Sequence, residues 1–228
     1  MRGPHNLWRL IRTGATFERS GAMNIALEAL NTPKPLKIAA KVIGLPFKLI
    51  GLKGDSQSPP ILRALTALGP AYIKFGQLMS TRPDVVGQDL ANELKVLQDA
   101  LPPFSQSLAI ATIENELGLV ADQIFSSISE PIAAASLAQV HRAVVKRTGQ
   151  VVAIKVLRPG VEKAFLKDVD AFYLVARIIE LFSKSSRRLK PVAVIKHFEG
   201  IVKAELDLRM EIAAAAEFLA NTSNDEKF

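Results

Sequence analysis

The chain has 228 residues, 49% of them hydrophobic, which is enough to bury a sizeable core in one domain with an extension. It contains no cysteine, which excludes disulfides and thiolate metal sites and fits a reducing cytosol. No stretch of about 18 residues is both apolar and uncharged, so no transmembrane helix is predicted. The opening residues also lack the long apolar core of a signal peptide, which argues against secretion.

Residues 1–55 hold a large share of the excess positive charge, which is +7 for the whole chain. Apolar residues alternate with the basic ones here, and such a basic arm suits the surface of an anionic membrane. A helix that packs on its own domain with a solvated basic face explains the pattern equally well. Nucleic acid has little support as a partner, because no binding motif or aromatic platform accompanies the charge.

Residues 51–60 form the most linker-like stretch and separate the arm from the rest of the chain. Strands are expected between about residues 125 and 157, where Pro159 and Gly160 stop them. Pro70 is well placed to open a helix, and Gly118 to close one. The helices expected from apolar spacing are, in chain order, 61–68, 70–81, 87–100, 106–117, 161–183 and 192–221.

Lys155 lies within the apolar run Val151 to Leu157, whose sequence is VVAIKVL. A strand of this kind is buried on at least one face, where an ammonium is costly unless an anion meets it. One interpretation is a lysine at the strand edge that extends to water. The other is the nucleotide-binding lysine of a kinase-like small lobe, which reaches the α and β phosphates.

An alanine-rich segment, Ala133, Ala134, Ala135 and Ser136, precedes this strand. Kinases use glycine at the corresponding place, because the backbone must approach phosphate closely and adopt φ values that Cβ disfavours. Alanine keeps a small cross-section but restricts the backbone. A stiffer phosphate-covering loop is therefore expected.

The predicted helix 70–81 carries Lys74 and Gln77 on one face, and Gly76 lets another backbone come close. An ordinary amphipathic helix with Ile73, Phe75 and Leu78 packed inward explains the same residues. On the last predicted helix, Asp207 and Glu211 are four residues apart and face the same way. Glu205 points to nearly the opposite side, so either the helix is distorted near Leu206 or Glu205 meets Lys74, and we favour the second arrangement. A solvated acidic turn is the alternative.

These motifs, in this order over about residues 60 to 220, resemble those of the UbiB/ADCK family of atypical kinase-like proteins. Lys74 to Gln77 matches the family's KxGQ motif and Ala133 to Ser136 its alanine-rich loop. Val152 to Lys155 matches VAIK, and Glu205 to Asp207 matches ExD. Glu211 matches the glutamate that pairs with the VAIK lysine.

The resemblance implies an α+β fold: a protein-kinase-like small lobe with a helical amino-terminal extension. In the family the KxGQ helix folds over the nucleotide pocket and occludes the place of a protein substrate. This implies ATP hydrolysis or a reaction on a small molecule. The residues implied to lie near the reaction centre are Lys74, Gln77, Glu205 and Asp207. The resemblance also implies roles in nucleotide binding. Lys155 would bind the phosphates and Glu211 would hold Lys155 in place. The phosphates would be covered by Ala133, Ala134, Ala135 and Ser136, and the adenine would be bordered by Val140 and Ala153.

The expected divisions are a basic arm at 1–55, a KxGQ extension at 60–120 and a small lobe at 121–228. The catalytic base and magnesium ligands of kinases, found in HRD and DFG motifs, do not occur in this sequence. His5, His141 and His197 are interpreted as surface or packing residues, because their spacing fits no metal site.

The first hypothesis is an ATP-binding half of a protein of ubiquinone biosynthesis, truncated or split from a large lobe that supplies the Mg2+ ligands. The alternative is a non-catalytic module that binds a membrane surface or a partner of the quinone pathway. Either fits a cytoplasmic protein with peripheral attachment to the inner membrane.

Overall fold

The computed structural model describes residues 5–29, 32, 34–99, 102–182, 186–223 and 225. None of the helices in these ranges is both long and apolar enough to cross a membrane. The α-helices are α1 His5–Ser20, α2 Ala22–Ala29, α3 Lys34–Gly44, α4 Pro60–Leu68, α5 Pro70–Ser80, α6 Pro83–Val86, α7 Gln88–Leu94, α8 Gln106–Leu117, α9 Ala121–Ile124, α10 Val161–Phe182, α11 Pro191–Leu206 and α12 Leu208–Thr222. The 3₁₀ helices are Leu45–Ile50, Lys95–Asp99 and Ser186–Leu189.

Three strands form an antiparallel sheet in the order β1-β2-β3. Their bounds are Phe125–Ala134 for β1, Ala138–Val145 for β2 and Val151–Leu157 for β3. Register shifts interrupt the pairing of β1 with β2 on either side of Pro131, which has no backbone N–H to donate. The sheet and its surrounding helices agree with the predicted α+β class.

One face of the sheet is held to the start of α8 by buried polar side chains. The Nδ1 of His141 donates to the Ser129 carbonyl at 2.7 Å, so its Nε2 accepts from the Gln139 amide at 2.9 Å. The same amide group pairs with the backbone N–H and C=O of Phe104, just before Ser105 caps α8. His141 is therefore a packing residue of the core, in agreement with its interpretation from sequence.

The helical core forms where α5 packs against α10 and, through Phe75 and Lys74, against α11. The ring of Phe75 lies 5.2 Å from that of Phe172 and 5.4 Å from that of Phe198, measured between centroids. Tyr72 meets Phe172 edge-on at 4.7 Å. Aromatic pairs at these separations add to the stability that comes from burial alone.

Gly76 lets other parts of the core approach α5, although by side chains and not by the predicted backbone contact. A Cβ built at Gly76 would lie 2.4 Å from Leu97 Cδ1 and 2.9 Å from Leu65 Cδ1. Real Cβ atoms essentially never come this close to other heavy atoms. The two leucines therefore occupy the space that any larger residue would need.

The arm packs on the rest of the chain through α1, which contacts α4 and α10. Arg9 forms an ion pair with Asp168 of α10, and Thr13 shares a hydrogen bond of 2.6 Å with Tyr72 of α5. Burial raises the pKa of Asp168, although the guanidinium of Arg9 acts in the opposite direction. Core residues from all three predicted divisions join one cluster, which includes Ala22, Ile61 and Phe165.

The predicted helix 192–221 is the main correction to the expected elements. The structure divides it at Asp207, whose φ of −91° and ψ of 87° are not helical. Two predicted helix ends hold: Gly118 closes α8 in the left-handed conformation, and α5 begins at Pro70. The predicted helix 87–100 is α-helical only over Gln88–Leu94 and continues as the 3₁₀ helix Lys95–Asp99.

Replacement of Gly76 by alanine should destabilise the fold by about 1–3 kcal/mol, because the new methyl group must displace Leu97 and Leu65. The matched control is Gly200→Ala in α11, where a Cβ would meet nothing within 4 Å. That change should be neutral or stabilising by up to about 1 kcal/mol, since alanine favours helix. Urea unfolding of the two variants measures both effects, and equal effects would contradict the close approach at Gly76.

Candidate functional site

The predicted nucleotide residues lie on the face of the sheet opposite to His141. Lys155 of β3 pairs directly with Val140 of β2, and Val140 pairs with Ala133 of β1. Directly paired residues share a face, so these three form a row across the sheet. Ala153 lies two residues before Lys155 and is on the same face. We call the face defined by Ala133, Val140, Ala153 and Lys155 the open face.

Lys155 lies on the exposed side of β3, and the other side of the strand is covered, as expected for a strand buried on at least one face. Its side chain is 38% exposed, and Val151 and Ala153 on the same side of β3 are also exposed. The apolar residues that turn inward are Val152, Ile154 and Val156, of which Val156 is buried. The lysine therefore has little desolvation cost to offset, and its surroundings leave it accessible to an anion.

Glu211 of α12 meets Lys155 with an Oε2 to Nζ distance of 2.5 Å. The contact joins residues 56 positions apart and connects β3 to α12. It is the pairing that the sequence motifs predicted. The roles of the two residues toward a nucleotide stay predictions.

The alanine-rich segment turns without glycine because its backbone stays in ordinary conformations. Ala133 and Ala134 end β1, and the N–H of Ala135 donates to the Ala138 carbonyl at 2.8 Å to close the turn into β2. Among the non-glycine residues that the structure describes, Lys190 alone has a positive φ. A Cβ is thus tolerated throughout this turn.

Lys74 forms an ion pair with Glu205 of α11 at 2.7 Å. This is the arrangement that the sequence analysis favoured. Gln77 does not join that pair, since its amide donates to the Leu97 carbonyl at 2.7 Å. The KxGQ residues thus hold α5 to two different neighbours, and any further role of Lys74 and Gln77 stays a prediction.

The sequence analysis placed Asp207 with Glu211 on one face of a continuous helix, whereas Asp207 is the non-helical residue between α11 and α12. Its carboxylate accepts from the backbone N–H of Arg209 and caps α12. The guanidinium of Arg209 also donates to both carboxylate oxygens, at 2.8 and 2.9 Å. These hydrogen bonds lower the pKa of Asp207, and the bond from the Arg209 side chain has the largest effect.

The sequence analysis assigned no site role to two residues near the site, Arg209 and Arg142. The side chain of Arg209 donates to both carboxylate oxygens of Asp207. The sequence signal for the role of Asp207 was its position just before an apolar run, which is typical of a helix N-cap. Arg142 pairs with Ala153 and lies exposed on the open face. Alternation along β2 from Val140 predicts its direction.

The described residues do not fit a magnesium site by themselves. No group of three or more His, Cys, Asp or Glu within those ranges is placed to hold a metal ion. Asp207 is already engaged by Arg209, and Glu205 and Glu211 each meet a lysine. Any magnesium chemistry would need ligands beyond these groups.

Two cavities in the described part of the chain lie away from the open face. A shallow groove of about 580 Å³ runs along α11, beside Lys196, His197 and Gly200. A smaller cavity of about 180 Å³ lies between α5 and α10, lined partly by Arg158 and Asp168. Neither includes a predicted nucleotide residue, so the candidate site rests on the open face and its ion pair.

Comparison with known proteins agrees with this arrangement. The ABC1 atypical kinase-like domain matches residues 96–228, which is more than half of the chain. The chain therefore belongs to the ABC1 atypical kinase-like family, and the predicted α+β small lobe with its helical amino-terminal part is confirmed.

Several curated relatives carry the name "Probable protein kinase UbiB". The protein from Marinobacter nauticus is 38% identical over 219 residues, which cover 96% of this chain and 39% of the relative. That from Cellvibrio japonicus is 40% identical, over 84% of this chain and 35% of its own length. That from Pseudomonas aeruginosa is 45% identical, over 69% and 30%. The chain thus resembles the amino-terminal portion of UbiB and spans well under half the length of these relatives.

Asp207 should titrate below pH 3.8, the ordinary value for its carboxyl group, because Arg209 stabilises the charged form. With a folded-state pKa below the unfolded one, its stabilising contribution is present at neutral pH and is lost as pH falls through the folded pKa. Carbon-13 NMR of the carboxyl carbon measures the midpoint. Arg209→Gln should raise that midpoint toward 3.8, whereas the control Arg147→Gln in the β2–β3 turn should leave it in place. An unchanged midpoint in Arg209→Gln would contradict the assigned cause.

Proposed function

We propose that this chain is the ATP-binding part of a UbiB-type atypical kinase-like protein that supports ubiquinone biosynthesis. The observation that carries the proposal is the Lys155–Glu211 ion pair beside the open face. An ammonium fixed by a carboxylate, next to a row of small apolar side chains, suits a phosphate chain attached to a flat apolar base. Membership of the kinase-like family supports the same assignment.

Different residues on and beside the open face would contact different parts of the nucleotide. Lys155 would hold the phosphates, with Glu211 keeping its ammonium in place. Ala133, Ala134, Ala135 and Ser136 would lie over the phosphates, while Val140 and Ala153 would border the adenine. ATP, when bound, supplies the phosphoryl group. Mg2+ would depend on ligands from outside the described residues, for which a large lobe is the proposed source.

The packing of α5, the helix that carries the KxGQ motif, indicates which kind of substrate the protein could accept. Because α5 is packed into the core and tied to α11 by Lys74 and Glu205, it is poorly suited to swing aside for a protein substrate. We therefore favour ATP hydrolysis or work on a small molecule over phosphorylation of other proteins. Glu205 and Asp207 remain candidates for this step once the groups that now engage them are displaced.

A second candidate is a non-catalytic module that binds a membrane surface or a partner of the quinone pathway. It is favoured by the engagement of Asp207 by Arg209, which leaves the carboxylate with both oxygens hydrogen-bonded. Under either candidate the place of action would be the cytoplasm, with peripheral attachment to the inner membrane. ATP binding distinguishes the two candidates.

A fluorescent ATP analogue should bind the chain in the presence of Mg2+, and Lys155→Ala should weaken that binding by about 10- to 100-fold, as expected for one hydrogen bond to a charged group. The control Lys163→Ala removes the same charge from an exposed position on α10 and should bind like the parent. Fluorescence anisotropy gives the dissociation constants.

Glu211→Gln should weaken the same interaction less than Lys155→Ala, since it frees the ammonium without removing it. Equal affinity in the Lys155→Ala and Lys163→Ala variants would refute the assigned phosphate contact. A parent chain that binds no nucleotide would favour the non-catalytic module.

A further inference from the structure

One charged side chain of the open face has no partner among the described residues. Arg142 of β2 is exposed, and it pairs with Ala153 of β3. Within the ranges that the structure describes, its guanidinium forms no hydrogen bond, ion pair or contact with an aromatic ring. Lys155 on the same face, in contrast, meets Glu211. The guanidinium of Arg142 is therefore available to a ligand.

The backbone of β2 fixes the position of Arg142. Its N–H donates to the Ser129 hydroxyl at 3.0 Å. The residues on either side of it, His141 and Ala143, are buried in the covered face, with 0% and 1% exposure. Because neighbouring residues of a strand point to opposite faces, the side chain of Arg142 points to the open face. Its point of attachment is held by the sheet, while its exposed end is left to adjust to a ligand.

The register of the sheet places Arg142 beside the residues that are proposed to border the base. Arg142 pairs directly with Ala153, and the Cβ atoms of such a pair are about 5 Å apart. Lys155 pairs instead with Val140, which lies two residues, or about 7 Å, closer to the alanine-rich turn. Phosphates bound by Lys155 would lie toward that turn, which leaves the base on the side of Arg142.

A guanidinium contacts a base in a way that the other side chains of the open face do not. Ala133, Val140 and Ala153 are aliphatic, and the ammonium of Lys155 is not planar. The guanidinium is both planar and cationic, and it stacks on the face of an aromatic ring. Proteins stack nucleotide bases on arginine side chains in the same way. Because a purine has a larger ring face than a pyrimidine, this contact favours a purine.

We propose that Arg142 determines base specificity on the open face, by stacking its guanidinium on the base of the bound nucleotide and so favouring purine over pyrimidine nucleotides. This role rests on the proposed function, because the base reaches Arg142 only when the phosphates meet Lys155. The competing role for Arg142 is that of a second cation for the phosphates. That role would act equally on a nucleotide and on a phosphate chain without a base.

Competition against a fluorescent ATP analogue bound to the 228-residue chain, in the presence of Mg2+, separates these two roles. The unlabelled competitors are ATP, CTP and inorganic tripolyphosphate, which has phosphates but no base. Arg142→Ala should weaken the binding of ATP by about 2- to 5-fold, as expected for an exposed contact between a cation and a ring. It should leave the binding of tripolyphosphate unchanged. The preference of the parent chain for ATP over CTP should shrink in this variant.

Two further variants make the comparison specific. Arg147→Ala removes the same charge from an exposed position in the β2–β3 turn, and it should bind all three competitors like the parent chain. Arg142→Lys keeps the charge without the planar group, and it should recover only part of the lost affinity for ATP. Circular dichroism melting should show all variants folded, since Arg142 is exposed. If Arg142→Ala unfolds, Arg142→Lys decides the question by the same comparison of ATP with tripolyphosphate.

The outcomes that contradict this role of Arg142 differ from those that contradict the proposed function. Equal weakening of ATP and tripolyphosphate in Arg142→Ala would reassign Arg142 to the phosphates. Full recovery in Arg142→Lys, or equal affinity of the parent chain for ATP and CTP, would exclude stacking on a purine. Unchanged ATP binding in Arg142→Ala, with Lys155→Ala weakened, would remove Arg142 from the site and leave the proposed function in place. A parent chain that binds neither ATP nor tripolyphosphate would overturn both.

Discussion

The packing of helix α5 against α10 and α11 is the constraint on which the rest of the structure depends. The ring of Phe75 lies within 5.4 Å of those of Phe172 and Phe198, measured between centroids, and burial of such rings is worth several kcal/mol. The Lys74–Glu205 ion pair is partly exposed and adds at most about 1 kcal/mol. The aromatic core therefore fixes the positions of Lys74 and Glu205, and their ion pair contributes little to the stability of the core. Gly76 is needed because Leu97 and Leu65 fill the space beside α5.

The break at Asp207 lets one short segment serve two partners. On an ideal helix, Glu205 and Glu211 would be six residues apart and about two thirds of a turn out of phase. By ending α11 and starting α12 with its own cap, the chain directs Glu205 to Lys74 and Glu211 to Lys155. The helical extension and the sheet are thus linked through consecutive helices. Asp207 has a structural task here, as the cap, which the ExD motif alone does not reveal.

Local signals predicted much of the fold, and long-range packing decided what they missed. Pro70 and Gly118 mark helix ends by their own backbone preferences, so α5 and α8 were predicted closely. Which face of β3 is covered depends on α8 and on the polar contacts of His141, and the sequence of the strand does not encode this. The neighbours of Gly76 lie up to 21 residues away along the chain. Their approach follows from tertiary packing.

The pairing of charges in the site was predictable for a different reason. The resemblance to the UbiB/ADCK family implied the pairing of Lys155 with Glu211. The pairing of Lys74 with Glu205 was inferred because Glu205 points to nearly the opposite side of a helix from Asp207. The register that aligns Ala133, Val140 and Lys155 was not stated from sequence, because the irregular pairing around Pro131 shifts β1 against β2. The environment of Asp207 was missed because its helix was predicted as continuous.

Two exposed apolar surfaces in the described part of the chain differ in what they imply. On α12, Met210, Ile212 and Leu219 are exposed, but Glu211 and Arg209 lie among them, so the charge is mixed and selects no particular partner. The segment of residues 34–50 has exposed aliphatic residues of similar size, Ile38, Val42 and Leu49, beside lysines alone. Exposure by itself is common on protein surfaces. In the segment 34–50, apolar character coincides with a single sign of charge, and hydrogen bonds from Arg19 and to Thr16 hold the end of that segment against α1.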